Sequence, residues 1–512
     1  MNQIGLLGVV AAAVESLRPT LVPRTTAHQA LVTAGCTATL ALVTQPTRSV
    51  QMPGARWLLP VAAAVAAQRA VTHVRAQRRS YPEWTPRPQN PLVAVGVGLA
   101  VGIAAGNAPR AAIAGWRRVG TAIADRRGGP AWLWGTAATA AAAGLAGVAV
   151  TAGARHGLQV LRSIGTRPDP ALRQAPDNDY VSGGPRSVID YATLARDGRR
   201  FVSLRTPAEQ IRSVQPEAME PIRVYSGLHS ADTVAERVDL AMADLERLGA
   251  FERSNILIMC PSGSGYADYV AAEAIEIYTA GDCASVVIQY GVLPSMLSLD
   301  RVAIGAHSVR LLLDRLDARL REMSEPPRVW MYGESLGARV AQDALQTEPA
   351  RVDAQGRLDG VTALVSVGTP GGPSLRNQLQ DSPGVVHLDR WQQMNGDEQA
   401  QLWFIDHDAD PVTRWDGRLA VKFPRWLHKP RGRNIPDDMN WVPALTWWQV
   451  IFDLAFAAQQ QSGVFRSIGH DYRADLAPIL ARVIGSDADV GKTAHLLAER
   501  EVMRDRITSA TQ

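Results

Sequence analysis

Ser335 stands in Gly333-Glu334-Ser335-Leu336-Gly337. Val329-Trp330-Met331-Tyr332 leads in, and Ala338-Arg339-Val340 leads out. A β-prone run therefore hands over to a helix-forming one at the serine. That is the context in which a Gly-x-Ser-x-Gly turn lifts a hydroxyl out of a sheet as a nucleophile. The two glycines let strand and helix approach closely, and the helix N-terminus turns its positive dipole toward a developing oxyanion. The chemistry on offer is attack of the serine on an acyl carbon. Five residues alone recur by chance, so partners for the serine must be found.

A serine hydroxyl needs a base, and the base an orienting carboxylate. Of the ten histidines, four follow residue 400: His407, His428, His470 and His495. His495 lies on an amphipathic tail, His428 in a basic loop and His407 inside an acidic cluster. His470, in Ser467-Ile468-Gly469-His470-Asp471-Tyr472, lies in a loop just before a helical stretch and is the expected base. The acid should end the strand before that loop, where Asp406-His407-Asp408-Ala409-Asp410-Pro411 stands. Asp410, in the turn beside Pro411, is the first choice and Asp408 the alternative. One oxyanion donor is expected from the backbone N–H of Leu336. The other is expected from Gly263 or Ser264 in Pro261-Ser262-Gly263-Ser264-Gly265-Tyr266. That loop lacks the Lys-Ser/Thr ending of a phosphate cradle. Cys36, Cys260 and Cys283 are scattered and give no metal-ligand or disulfide spacing. No metal or organic cofactor is implied.

These residues need a scaffold. From residue 221 to about 500, short apolar runs at 222–226, 255–260, 285–290, 328–333, 361–368 and 401–405 alternate with amphipathic stretches at 233–248, 266–279, 299–323 and 336–345. Asp232 is the expected cap of the first stretch. Continuous apolar strands alternating with helices predict an α/β fold, a mostly parallel sheet covered on both faces, with its site beyond the carboxyl ends of the strands. Between Asp410 and His470 lie 59 residues holding five of the 13 tryptophans, Trp415, Trp426, Trp441, Trp447 and Trp448. This insertion, about 411–465, reads either as a cap forming an acyl pocket or touching a membrane interface, or as a packed subdomain.

The first part of the chain is different. Residues 1–170 hold 17 Arg, no Lys and four acids, a balance of +13, so the remainder balances at −9 within a total of +4. The arginines sit between Ala/Val/Leu/Gly runs at 4–14, 27–43, 57–74, 91–108 and 131–152. That pattern predicts an all-α transmembrane region over 1–155 with four to five helices, in a multi-pass protein of the cell membrane. Both loops 75–90 and 109–130 are Arg-rich, so orientation is not readable. No aromatic-plus-basic reading surface is present, which argues against nucleic acid. Residues 156–220, with Ser182-Gly183-Gly184-Pro185, read as a polar connector.

Together, Pro221-Ile222-Arg223-Val224-Tyr225-Ser226-Gly227-Leu228, Gly333-Glu334-Ser335-Leu336-Gly337, Asp408-Ala409-Asp410-Pro411-Val412, Gly469-His470-Asp471-Tyr472 and Leu21-Val22-Pro23-Arg24 carry a resemblance. The chain resembles the membrane-anchored α/β-hydrolase family common in actinobacteria, in which several N-terminal helices precede an α/β-hydrolase domain. The resemblance implies Ser335, Asp410 and His470 as a catalytic triad. One departure is that no final strand precedes His470. The reading is a membrane-bound serine hydrolase (esterase- or lipase-like) acting on a lipid or acyl ester. An acyltransferase with the same triad and a non-catalytic membrane-associated binding module are the alternatives.

Overall fold

A computed structural model describes residues 3–44, 55–84, 89–395, 400–457 and 460–509. They form two compact units, one of residues 1–160 with 414–457, the other of residues 161–413 with 458–512.

The second unit holds a seven-stranded sheet: β1 (Ile222–Ser226), β2 (Asn255–Cys260), β3 (Cys283–Ile288), β4 (Arg328–Glu334), β5 (Ala363–Val367), β6 (Val385–Leu388) and β7 (Leu402–Ile405). Their order is β1-β3-β2-β4-β5-β7-β6, and every pairing is parallel. β1, β2, β3, β5 and β7 are buried along their whole length, which is why they read as mostly apolar runs without strict alternation, the polar exceptions such as Arg223, Asn255 and Ser366 being buried too. Helices Val234–Leu248, Tyr269–Tyr278, Val302–Leu320 and Leu336–Gln346 supply the layers. The first of these is capped by Thr233, not Asp232. Thr233 Oγ1 accepts from the Glu236 N–H while Glu236 Oε2 accepts from the Thr233 N–H, a reciprocal pair that Asp232, one residue too early, cannot make. β6 was not anticipated. It is four residues long, three of them partly or fully exposed, with no apolar periodicity to betray it.

Residues 161–220 pack within this unit. Val181 pairs with Arg223 of β1, and Ser182 Oγ donates to the buried Asp244 at 2.5 Å. Helix Arg196–Ser203 carries Asp197, which is buried.

The first unit is helical: Gln3–Ser16, Thr26–Val43, Ala55–Arg79, Pro91–Arg127 and Ala131–Thr166, which runs on past Val160, joined by Leu445–Ala455 from the Trp-rich segment. Gly98, Gly102 and Gly106 face helix Thr26–Val43, where a Cβ on Gly102 would lie 1.9 Å from Thr37 Oγ1 and one on Gly106 2.4 Å from Ala41 Cβ. Backbones approach this closely only through small residues. Trp448 lies against Gly35 and its indole N–H donates to Thr39 Oγ1 at 2.9 Å. At the centre Asp453, fully buried, accepts from the Leu21 N–H and from Arg24 Nε and lies 3.2 Å from His28 Nε2.

Four to five membrane crossings are not supported. Among the described residues, Pro91–Arg127 is the one helix long and apolar enough to span a bilayer. Gln3–Ser16, at 14 residues, reaches only about 21 Å of a hydrocarbon core roughly 30 Å thick. Thr26–Val43 buries His28, Gln29, Thr33 and Thr37 in protein contacts, and Ala55–Arg79 ends in Arg78 and Arg79. Residues 141–150, the middle of the run 131–152, lie outside the residues whose side chains are described. The Arg-rich stretch 109–130, expected as a loop, mostly continues the helix Pro91–Arg127.

Candidate functional site

β4 ends at Glu334, and Ser335 follows with φ 54 and ψ −121 before helix Leu336–Gln346 begins. A positive φ at a non-glycine residue is costly and persists only where its surroundings enforce it. Here the glycines enforce it from both sides. A Cβ on Gly333 would lie 2.5 Å from Gly337 O, and a Cβ on Gly337 would lie 2.1 Å from Cys260 O. The Ser335 N–H donates to Val367 O at 2.9 Å, which ties the elbow to the end of β5.

The next residue of β5's exit, Gly368, forms the floor under His470. Its φ is 58, and a Cβ there would lie 2.8 Å from His470 Cε1 and 3.1 Å from Nδ1. The structure thus brings the His470 ring to the residue following Ser335's own hydrogen-bond partner. His470 Nδ1 lies 2.7 Å from Asp410 Oδ2. Asp410 is fully buried; its Oδ1 accepts from the Val412 N–H at 2.8 Å, and its Oδ2 also accepts from the Tyr472 hydroxyl at 2.7 Å. Burial disfavours a charged His470, but the charge and hydrogen bond of Asp410, with help from Asp471 and Asp406, outweigh it and hold the imidazole above its ordinary range.

The other members of the acidic cluster do different work. Asp406 accepts from the Thr369 N–H at 2.7 Å and pairs with Arg376 at 3.0 Å. Asp408 is half-buried, and its N–H donates to Asp389. Both ring nitrogens of His407 are engaged elsewhere: its Nδ1 lies 2.8 Å from Gly469 O, its Nε2 lies 3.0 Å from Asp475, and its ring stacks on Tyr472 at 3.9 Å. It holds the loop that carries His470. His495 is exposed and pairs with Glu499, and His428 is exposed against Phe423.

The loop after β2 lies beside the elbow, since Cys260 is in register with Gly333 and touches Gly337. Its polar groups can be accounted for one by one. Ser262 N–H donates to Tyr266 O, Gly265 N–H to Ser262 O, and Ser264 Oγ to Asp197 at 2.6 Å. The N–H groups of Gly263 and Ser264 meet no acceptor among the described residues. The Leu336 N–H, at the first position of its helix, has no helical acceptor either.

Glu334 and Asp268 form a second feature. Tyr332 Oη lies 3.2 Å from Glu334 Oε2 and 3.4 Å from Asp268 Oδ2. Burial, then the charge and hydrogen bond of Asp268, raise the Glu334 carboxyl well above its ordinary range. All three cysteines are free and buried, and burial pushes the Cys283 thiol up to about 12. Among the described residues, no group of three or more His, Cys, Asp or Glu side chains is arranged to hold a metal ion.

Sequence reasoning missed Tyr472, Gly368, Asp197 and the structural use of His407. Tyr472 lay within the quoted histidine motif.

A family model described as an alpha/beta-hydrolase family matches residues 222–496, which is over half of the chain and includes the elbow, the acidic cluster and the histidine loop. No curated protein and no solved structure matches the chain.

Proposed function

Because the chain belongs to the α/β-hydrolase family, we propose that it is a serine hydrolase cleaving an ester with an apolar acyl group, with Ser335, His470 and Asp410 as its triad. The observation that carries this reading is the strained Ser335 elbow next to a His470–Asp410 pair 2.7 Å apart. His470, neutral, takes the Ser335 proton as Oγ bonds to the acyl carbon, and the carbonyl electron pair moves onto oxygen. The Leu336 N–H and that of Gly263 or Ser264 then hydrogen-bond the oxyanion. The imidazolium, held by Asp410, returns its proton to the leaving alkoxide. Water, deprotonated by the same ring, releases the acid and restores the serine.

Support for an apolar acyl group comes from the rim of this loop. Tyr266, Met296, Leu297 and Leu299 are exposed, and Ser298 between them packs so closely that a Cβ on Gly263 would lie 2.4 Å from Ser298 Cβ. Helix Pro91–Arg127, with Leu92, Val93, Val97 and Val101 exposed, supports attachment to a membrane, where such esters occur. A fluorophosphonate probe applied to the full chain tests the reading. Wild type should be labelled and Ser335→Ala should not. Equal labelling of both, or none of wild type, overturns it.

A further inference from the structure

Gln289 immediately follows β3 and is fully buried. Its main-chain N–H donates to Ser226 O, extending the β1–β3 pairing by one residue. Its side-chain amide then reaches three loops at once. Oε1 accepts from the Leu228 N–H at 3.0 Å, beyond β1. Nε2 donates to Ser264 O at 2.9 Å, beyond β2, and to Gly291 O at 2.9 Å, beyond β3. Both amide hydrogens are used, and the oxygen is engaged. The approach is close enough to require glycine. A Cβ on Gly265, whose φ is 93, would lie 2.6 Å from Gln289 Nε2, and a Cβ on Gly291 would lie 2.5 Å from Gly263 O.

The contacts bear on the two N–H groups left without an acceptor, those of Gly263 and Ser264. A peptide unit is planar, so fixing a carbonyl fixes the N–H that shares its plane. Gly291 backs the Gly263 carbonyl, whose plane contains the Ser264 N–H, while Gln289 holds Gly291 in place and grips the next carbonyl along. The Tyr225 hydroxyl donates to Gly265 O at 2.9 Å, and Asp197 takes the Ser264 hydroxyl, closing the remaining freedom of the loop. A loop that merely connected β2 to the next helix would have no need of a buried amide spanning three strand exits.

We propose that Gln289 is a positioning residue for oxyanion stabilisation, its carboxamide, through Gly291 and the Gly263 carbonyl, aiming the backbone N–H of Ser264 at the acyl oxygen. It rests on the reading of Ser335 as the nucleophile. Gln289 does not touch the substrate; it acts through the loop it holds.

The test uses the full chain in detergent with a p-nitrophenyl ester, with active sites counted by fluorophosphonate labelling. Gln289→Met keeps length and apolar volume but removes every hydrogen bond. It should lower kcat per labelled site by about 10- to 100-fold, below the roughly 10²–10³-fold for removing an oxyanion donor outright. KM should change by less than about threefold, because the oxygen charge exists only past the ground state. Gln289→Glu separates positioning from folding. A protonated carboxyl can again donate to one carbonyl, so its kcat relative to wild type at the same pH should rise from about pH 8 to about pH 5.5. Taking the ratio removes the titration of His470 common to both proteins. A Gln289→Met protein that loses folded molecules while the labelled ones turn over at the wild-type kcat overturns the proposal, as does a flat Gln289→Glu ratio. Labelling of wild type that is lost in Ser335→Ala upholds the underlying reading independently. Persistence of labelling in Ser335→Ala overturns both.

Discussion

Replacing Tyr472 by Phe removes one oxygen from the heart of the proposed acid–base pair. That oxygen donates to Asp410 Oδ2 at 2.7 Å and accepts from the His407 N–H at 3.0 Å. Both residues are buried, so neither bond is readily exchanged for bulk water. A hydrogen bond to a charged group contributes about 1.5–3 kcal/mol, and a buried N–H left unmet costs about 1–3 kcal/mol. The ring itself and its stacking on His407 survive the change. The expected loss of stability is therefore about 2–4 kcal/mol, with local relaxation recovering part of the sum. The change also alters the base. Tyr472 and His470 share one carboxylate oxygen, so losing the hydroxyl leaves Oδ2 to the imidazole alone and favours the imidazolium. The lost bond therefore moves the His470 imidazole further upward, in the direction in which Asp410 already holds it. The ring must be neutral to take the serine proton, so the acid limb of the pH–rate profile should move to higher pH. Fluorophosphonate labelling rates across pH read the limb, and urea denaturation of the same protein reads the stability. A folded Tyr472→Phe protein whose acid limb stays put or moves to lower pH would refute the reasoning.

Asp410→Asn should lower kcat by about 10⁴-fold, because an amide presents the wrong partner to Nδ1; the residual rate should have its acid limb at lower pH, since Asp410 is what raises His470. Glu334→Gln keeps the hydrogen-bonding shape and removes a titration. The folded carboxyl is raised above its unfolded value of 4.5, so the native state binds the extra proton and this group's contribution to stability is lost as pH rises from 4.5 through its folded value. Denaturation of the two proteins across pH should therefore show Glu334→Gln gaining on wild type from that point upward; a constant difference would contradict the assignment. Asp453→Asn leaves the buried Arg24 without its counter-charge and should cost about 3–5 kcal/mol, seen as rapid proteolysis between residues 414 and 457 in the folded full chain.

The strands of the sheet were legible because a strand buried on both faces favours apolar residues on successive positions, and residues 256–260 and 363–365 are such runs. The elbow was legible for a related reason: a non-glycine residue at φ 54 needs glycines around it, and both are in the chain at fixed spacing. The N-terminal region is all-α, as its runs suggest, but its multi-pass reading is not supported, because Ala-rich runs satisfy two solvents. Helix Thr26–Val43 spends its face on glycines of a neighbouring helix and on buried polar groups, contacts that hydropathy cannot distinguish from lipid. Nor could the tryptophans declare their partners: Trp448 is committed to Gly35 and Thr39, more than 400 positions away in sequence.

The missing strand before His470 has a physical explanation in β6. In a parallel sheet, the loop carrying the base is ordinarily delivered by a strand beside the one that delivers the acid. Here that place, next to β7, is taken by β6, which precedes β7 in the chain and pairs with it from Val385↔Leu402 to Leu388↔Ile405. The position beside β7 is thereby occupied, and the histidine loop is held by side chains. His407 grips Gly469 O and Asp475, Tyr472 joins the His407 N–H to Asp410, and Gly368 supplies the floor. A strand would have fixed His470 through backbone bonds indifferent to sequence. A side-chain anchorage concentrates the same task on His407, Tyr472 and Asp475, so the placement of His470 should respond to single substitutions there far more than to changes at Ser462 or Val464 in the segment that leads into it.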